Sequence, residues 1–92
     1  MSQRQEIEGK LREFVTTELL GDPNNDELTS STNLLALGII DSISMVSLRI
    51  FVERTFSLRL PDDVQPDEFS SIARITALIE RIQGTQAPSA TG

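Results

Sequence analysis

The chain has 92 residues, a formal net charge of −6, 38% hydrophobic residues and four aromatics, all phenylalanine. It contains no cysteine and no histidine, which excludes disulfides, thiolate metal sites, a histidine general base and a Ser-His-Asp triad. One small domain fits this length. Its acidic balance disfavours nucleic acid, whose phosphates it would repel, and suits either basic protein partners or simple solubility.

The elements follow in chain order. Ser2 and Gln5 fit a capping box. Ile7, Leu11, Phe14, Val15 and Leu19 then recur at helical spacing, which predicts a first helix from residue 3 to residue 20. Gly21 and Pro23 are its stop signals. Residues 21–41 read as a long loop rich in Asp, Asn, Ser and Thr. Leu28, Leu34, Leu35 and Leu37 are expected to pin it to the core, with a short turn near Asn33 to Ala36. Asp22, Asn24 and Asp26 resemble the opening of a calcium loop. Glu27 stands where that loop needs Gly and Asn33 where it needs Glu, so calcium is rejected.

Asp41 is an N-cap residue for a second helix from Ser42 to Thr55. This helix has more apolar residues than one stripe needs, so it is either central or uses a second face for partners. Phe56 to Leu60 is an extended link ending at Pro61. Pro66, Asp67 and Glu68 predict a one-turn helix through Phe69. Ser70 or Ser71 caps a last helix, whose stripe is Ile72, Ile75, Leu78, Ile79 and Ile82, with Gly84 as its end. Residues 85–92 read as a disordered tail beyond a domain of residues 1–84. The expected fold is all-α: a four-helix bundle of three main helices and one short helix, with a long loop between the first two.

Leu37-Gly38-Ile39-Ile40-Asp41-Ser42-Ile43 resembles the attachment motif of the phosphopantetheine-binding carrier family, whose core is Asp-Ser-Leu. Val46, Leu48, Glu53 and Phe56 fall where that family places the same residue types. Leu60-Pro61-Asp62-Asp63 resembles its Ile-Pro-Asp-Glu segment, and Pro66, Phe69 and Ser71-Ile72 resemble its later helix entries. The resemblance spans residues 5 to 83. It implies a non-catalytic acyl or aminoacyl carrier with 4'-phosphopantetheine attached covalently to Ser42. Asp41 would cap the helix and help the modifying enzyme recognise the site. The implied partners are a phosphopantetheinyl transferase, a ligase that loads the acyl or aminoacyl group, and downstream acyl-transferring or condensing enzymes. The protein is expected to be a cytoplasmic monomer, with no nucleic acid and no membrane, since no stretch approaches the ~18 apolar residues of a spanning helix and Met1 to Lys10 lacks a signal-peptide core.

Two residues, Ile39 and Ile40, separate Gly38 from Asp41, where many fatty-acid carriers have one. The second helix carries Ser44, Ser47 and Arg54 where those carriers line it with glutamates. The spacing resembles discrete carriers of amino acids or of specialised acyl units, including the D-alanine carrier type, and the missing glutamates set the chain apart from housekeeping fatty-acid carriers. A housekeeping fatty-acid carrier, or a helical adaptor without a prosthetic group, is the alternative. Ser57 replaces a glycine common after Phe56, which predicts a different helix end there. Met45, Val46, Leu48 and Val52 match family positions that face the bundle. Ile43, Ser47, Ile50 and Arg54 share another helical face, the expected partner surface, with Ile43 and Ile50 partly exposed.

Overall fold

The computed structural model describes residues 3–22, 24–25 and 27–86. Ser2, Pro23, Asp26 and the part of the expected tail from residue 87 onward lie outside the described residues. Among the described residues three α-helices form the scaffold: α1 (Gln3–Phe14), α2 (Ser42–Phe56) and α3 (Ile72–Gln86). A single 3₁₀ turn, Pro66–Phe69, precedes α3. There is no strand among the described residues.

The first helix departs from its expected course. α1 stops being α-helical at Phe14 and continues as a π-helical turn, Val15–Leu19. There the Leu20 N–H reaches the Val15 carbonyl at 2.9 Å, an i→i+5 bond. Thr16, buried in this turn, donates its hydroxyl back to the Arg12 carbonyl at 2.8 Å, and such back-bonding bends helices. The apolar stripe still holds, because Ile7, Leu11 and Val15 are all buried. α3 also differs from expectation. It runs through Gly84 to Gln86. A Cβ at Gly84 would meet nothing within 4 Å, and glycine inside a helix costs only about 1 kcal/mol.

The core draws on every element. Ile7, Leu11 and Val15 come from the first helix, Leu48 and Val52 from α2, and Ile72, Ile75, Leu78, Ile79 and Ile82 from α3. Phe14 of α1 stacks on Phe51 of α2 at 4.3 Å, and Phe51 meets Phe56 edge-on at 6.3 Å. Each such pair adds about 0.5–1.5 kcal/mol beyond its burial. Lys10 lies 5.9 Å from the centre of the Phe56 ring. Three ion pairs, Arg4–Glu80, Arg74–Asp67 and Arg81–Glu68, sit at the surface, where each contributes about 1 kcal/mol or less.

The long connection between α1 and α2 is irregular but held. Leu28, Leu34 and Ile40 are buried in the core. Arg12 of α1 donates to the Leu28 carbonyl. The Leu34 N–H bonds the Ser70 carbonyl at 2.6 Å, and the Ala73 N–H bonds the Ser30 carbonyl at 2.8 Å. The segment is thereby tied to the start of α3. Leu37 does not join the pins as expected. It is 66% exposed, because the turn over 34–38 points it away from the side that Leu34 occupies.

Candidate functional site

The start of α2 is fixed from the loop side. Asn33 accepts the Ala36 N–H on its side-chain oxygen at 2.9 Å and opens the turn. Gly38 continues it at φ 74°, a left-handed value that glycine adopts without a Cβ clash. The N–H groups of Ile39 and Ile40 both return to the Leu34 carbonyl, at 2.9 and 3.2 Å. Ile40 is then buried, and Asp41 is extended (φ −119°, ψ −168°). The chain enters α2 at Ser42 from a point held by two core side chains, Leu34 and Ile40.

Asp41 is the N-cap. Its carboxylate accepts the Ser44 N–H at 2.8 Å, and its carbonyl accepts the Met45 N–H at 2.8 Å. The Ser44 N–H, and after it the Ser44 hydroxyl, hold the Asp41 carboxyl below its usual pKa. Ser42, the first residue of the helix, is exposed. The first N–H groups of a helix have no carbonyl partner, and the positive end of the helix dipole lies there. A phosphodiester on the Ser42 oxygen would therefore sit where negative charge is favoured. These residues fit the attachment of a phosphopantetheine arm. Ser44 is half-buried and engaged with Asp41.

The faces of α2 are distinct. Leu48 and Val52 are buried, and Met45, Phe51 and Phe56 are packed partly against the core. Ile43 is 79% exposed, Ile50 is 49% exposed, and Ser47 and Arg54 are exposed with them. Val46 was expected to face the bundle and instead is 56% exposed. At about 100° per residue it lies roughly 200° around the helix from Leu48, so it joins the stripe of Ile43 and Ile50.

Three features of this region were missed from sequence. Glu53 turns its carboxylate to the Leu60 N–H at 2.9 Å. Arg49 donates to the Pro61 carbonyl at 3.3 Å. Together they hold the 57–62 link along α2 and enclose a shallow cleft of about 670 Å³ beside Val46 and Ile50. The third is the helix end. Ser57 takes the left-handed conformation (φ 54°, ψ 49°) despite its side chain. The N–H groups of Ser57 and Leu58 both return to the Glu53 carbonyl, a Schellman-type closure. With Leu58 buried in the core, this outweighs the strain.

An exposed serine thus stands at the capped start of a helix on a small bundle. The chain matches the family model "Phosphopantetheine attachment site" over residues 10–79. It is 28% identical over 78 residues to an acyl carrier protein of Akkermansia muciniphila, covering 85% of this chain and 94% of that protein. It is also 28% identical over 78 residues to the "Probable acyl carrier protein PigG" of a Serratia species, covering 84% and 88%. A chain in the solved structure "Crystal structure of FAD-dependent dehydrogenase" superposes with a TM-score of 0.64 at 34% identity, covering 74% of this chain and 96% of that one.

The protein belongs to the phosphopantetheine-binding carrier family. It is a phosphopantetheine-bearing acyl carrier protein, non-catalytic in itself and served by modifying and loading enzymes. The arm supplies the thiol that a chain without cysteine lacks. No helix among the described residues is long and apolar enough to cross a membrane.

Proposed function

We propose that Ser42 is the attachment residue, and that the chain holds an acyl or aminoacyl group as a thioester in a specialised biosynthetic pathway. The observation that carries the attachment is the exposed Ser42 hydroxyl at the first position of α2, beside the Asp41 cap, inside the family match. Asp41 serves the transferase as well as the helix. Asn caps about as well as Asp, so Asp41→Asn keeps the fold and slows modification. Unchanged modification kinetics would leave Asp41 with its structural role alone.

The specialised reading rests on α2. A second helix bearing Arg49, Arg54 and a single glutamate, Glu53, departs from the glutamate-lined helix of housekeeping carriers. The similar chain in the dehydrogenase structure favours the same side. Its match covers 74% of this chain, about 68 residues, which is 96% of that one, so that chain is about 71 residues long. This is the length of a carrier domain and is short for a nucleotide-binding fold with a substrate domain. A chain of carrier length in a structure so named supports a carrier that meets a flavin-dependent dehydrogenase.

The test is intact mass. The chain is co-expressed with a phosphopantetheinyl transferase, then incubated with candidate ligases and either amino acids or fatty acids. Loading by an amino acid or short acid ligase, and refusal by a long-chain acyl synthetase, is the expected result. Preferential long-chain loading would return the protein to housekeeping fatty-acid synthesis. Absence of the arm would leave the helical adaptor.

A further inference from the structure

We propose that the phosphopantetheine arm folds back from Ser42, away from α2, and rests in an apolar groove on the long connection. The groove is walled by Leu20, Leu28, Leu37 and Ile39 and has a volume of about 370 Å³, within the range that holds small ligands. The proposal rests on the carrier reading above, with the arm on Ser42. The two residues between Gly38 and Asp41 build the wall nearest the site. The Leu34 carbonyl accepts both of their N–H groups, at 2.9 and 3.2 Å. Ile40 is then buried in the core, while Ile39 is only half-buried and lines the groove. Leu37, 66% exposed, forms the outer wall. An apolar side chain left open beside an attachment point is surface that a tethered apolar group can cover.

Reach and polarity both favour this groove. Ile39 precedes Ser42 by three residues, so the groove opens within about 11 Å of the attachment point along the chain. The arm has the backbone length of about five residues and extends to roughly 16 Å, enough to enter the groove and run along it. Beyond its phosphodiester the arm is uncharged: a carbon bearing two methyl groups comes first, then two amides, then the thiol. The methyl groups lie at the end nearest Ser42, where Leu37 and Ile39 stand. Asn25 lines the groove further in. Its side-chain oxygen accepts the Glu27 and Leu28 N–H groups at 2.9 and 3.1 Å, which leaves its NH2 group to donate to an amide carbonyl of the arm. Glu27, exposed, is the one charged side chain that lines this groove. The larger cleft beside α2 is lined instead by Arg49, Glu53, Arg59 and Asp62. An uncharged arm laid there would take water from four charged groups and return no charge to them.

The test uses the full chain labelled with ¹³C and ¹⁵N, with the arm transferred onto it from unlabelled coenzyme A, so that contacts between arm and chain are read selectively by NMR. The expected result is nuclear Overhauser contacts from the two arm methyl groups to the side-chain methyls of Leu37 and Ile39. Addition of the arm also shifts the amides of Leu20, Asn25 and Leu28, which are far from Ser42 in sequence. Leu37→Ser removes the contacts and returns those three amides to their positions in the unmodified chain. It leaves the melting temperature of the unmodified chain unchanged, because Leu37 is exposed. Contacts from the arm to Val46, Ile50 or Leu60 in place of these overturn the proposal. So does an arm with no contact to the chain, or a set of contacts and shifts that survives Leu37→Ser. Failure of the carrier reading itself would show earlier and separately, as absence of the arm's mass, or its mapping to another residue, before any spectrum is recorded.

Discussion

α2 and α3 are both fifteen residues long, and both are rich in isoleucine, leucine or valine. They spend those residues differently. In α3, Ile72, Ile75, Leu78, Ile79 and Ile82 are all buried, and the opposite face is polar, with Arg74 and Arg81 paired to Asp67 and Glu68. In α2 only Leu48 and Val52 are fully buried, while Ile43, Val46 and Ile50 face outward. α3 is what folding alone asks of a helix: one apolar face, covered. α2 keeps apolar surface that the fold does not use, next to Ser42, the proposed attachment residue. A surplus of this kind is more apolar surface than packing asks of a helix.

The sharpest way to break the comparison is to truncate one side chain from each class. Leu78→Ala in α3 and Leu48→Ala in α2 should each cost about 2–5 kcal/mol, read from urea or thermal unfolding. A small loss at either would mean that the buried faces are not equivalent parts of one core. A smaller effect is expected at the end of α2. Ser57→Gly relieves the left-handed strain and should raise stability by about 1 kcal/mol; destabilisation would mean that the Ser57 side chain makes a contact worth more than its strain. The smallest effect belongs to the outward face. Ile50→Ala should change stability by less than about 0.5 kcal/mol and slow loading by a cognate ligase. A variant that melts early but loads normally would put Ile50 in the core and remove the contrast between the helices.

Much of this was legible in the sequence. The α3 stripe, the Asp41 cap and the single turn from Pro66 follow from spacing and local backbone chemistry. Ser71 is the residue whose hydroxyl accepts the Arg74 N–H at the start of α3, a choice between two adjacent serines that sequence left open. Other features depend on partners far along the chain. The π-helical turn after Phe14 leaves no pattern in an apolar stripe, because an i→i+5 bond shifts the register without changing which residues are apolar. Val46 and Leu37 look like core residues by type, and only the azimuth of Leu48 and the direction of the 34–38 turn turn them outward. The links from Glu53 to Leu60 and from Arg49 to Pro61 are side-chain to backbone bonds with no motif. The motif around Ser42 was the more readable part. Ser42 lies in a contiguous motif, whereas the surface that surrounds it is assembled by helical geometry.

Intact mass with peptide mapping, after co-expression with a phosphopantetheinyl transferase, tests the central claim most directly. The account predicts a mass gain of one phosphopantetheine group, mapped to Ser42, and a folded Ser42→Ala variant that shows no gain. An arm mapped to Ser44 or any other residue, or a Ser42→Ala variant that is still modified, would contradict it.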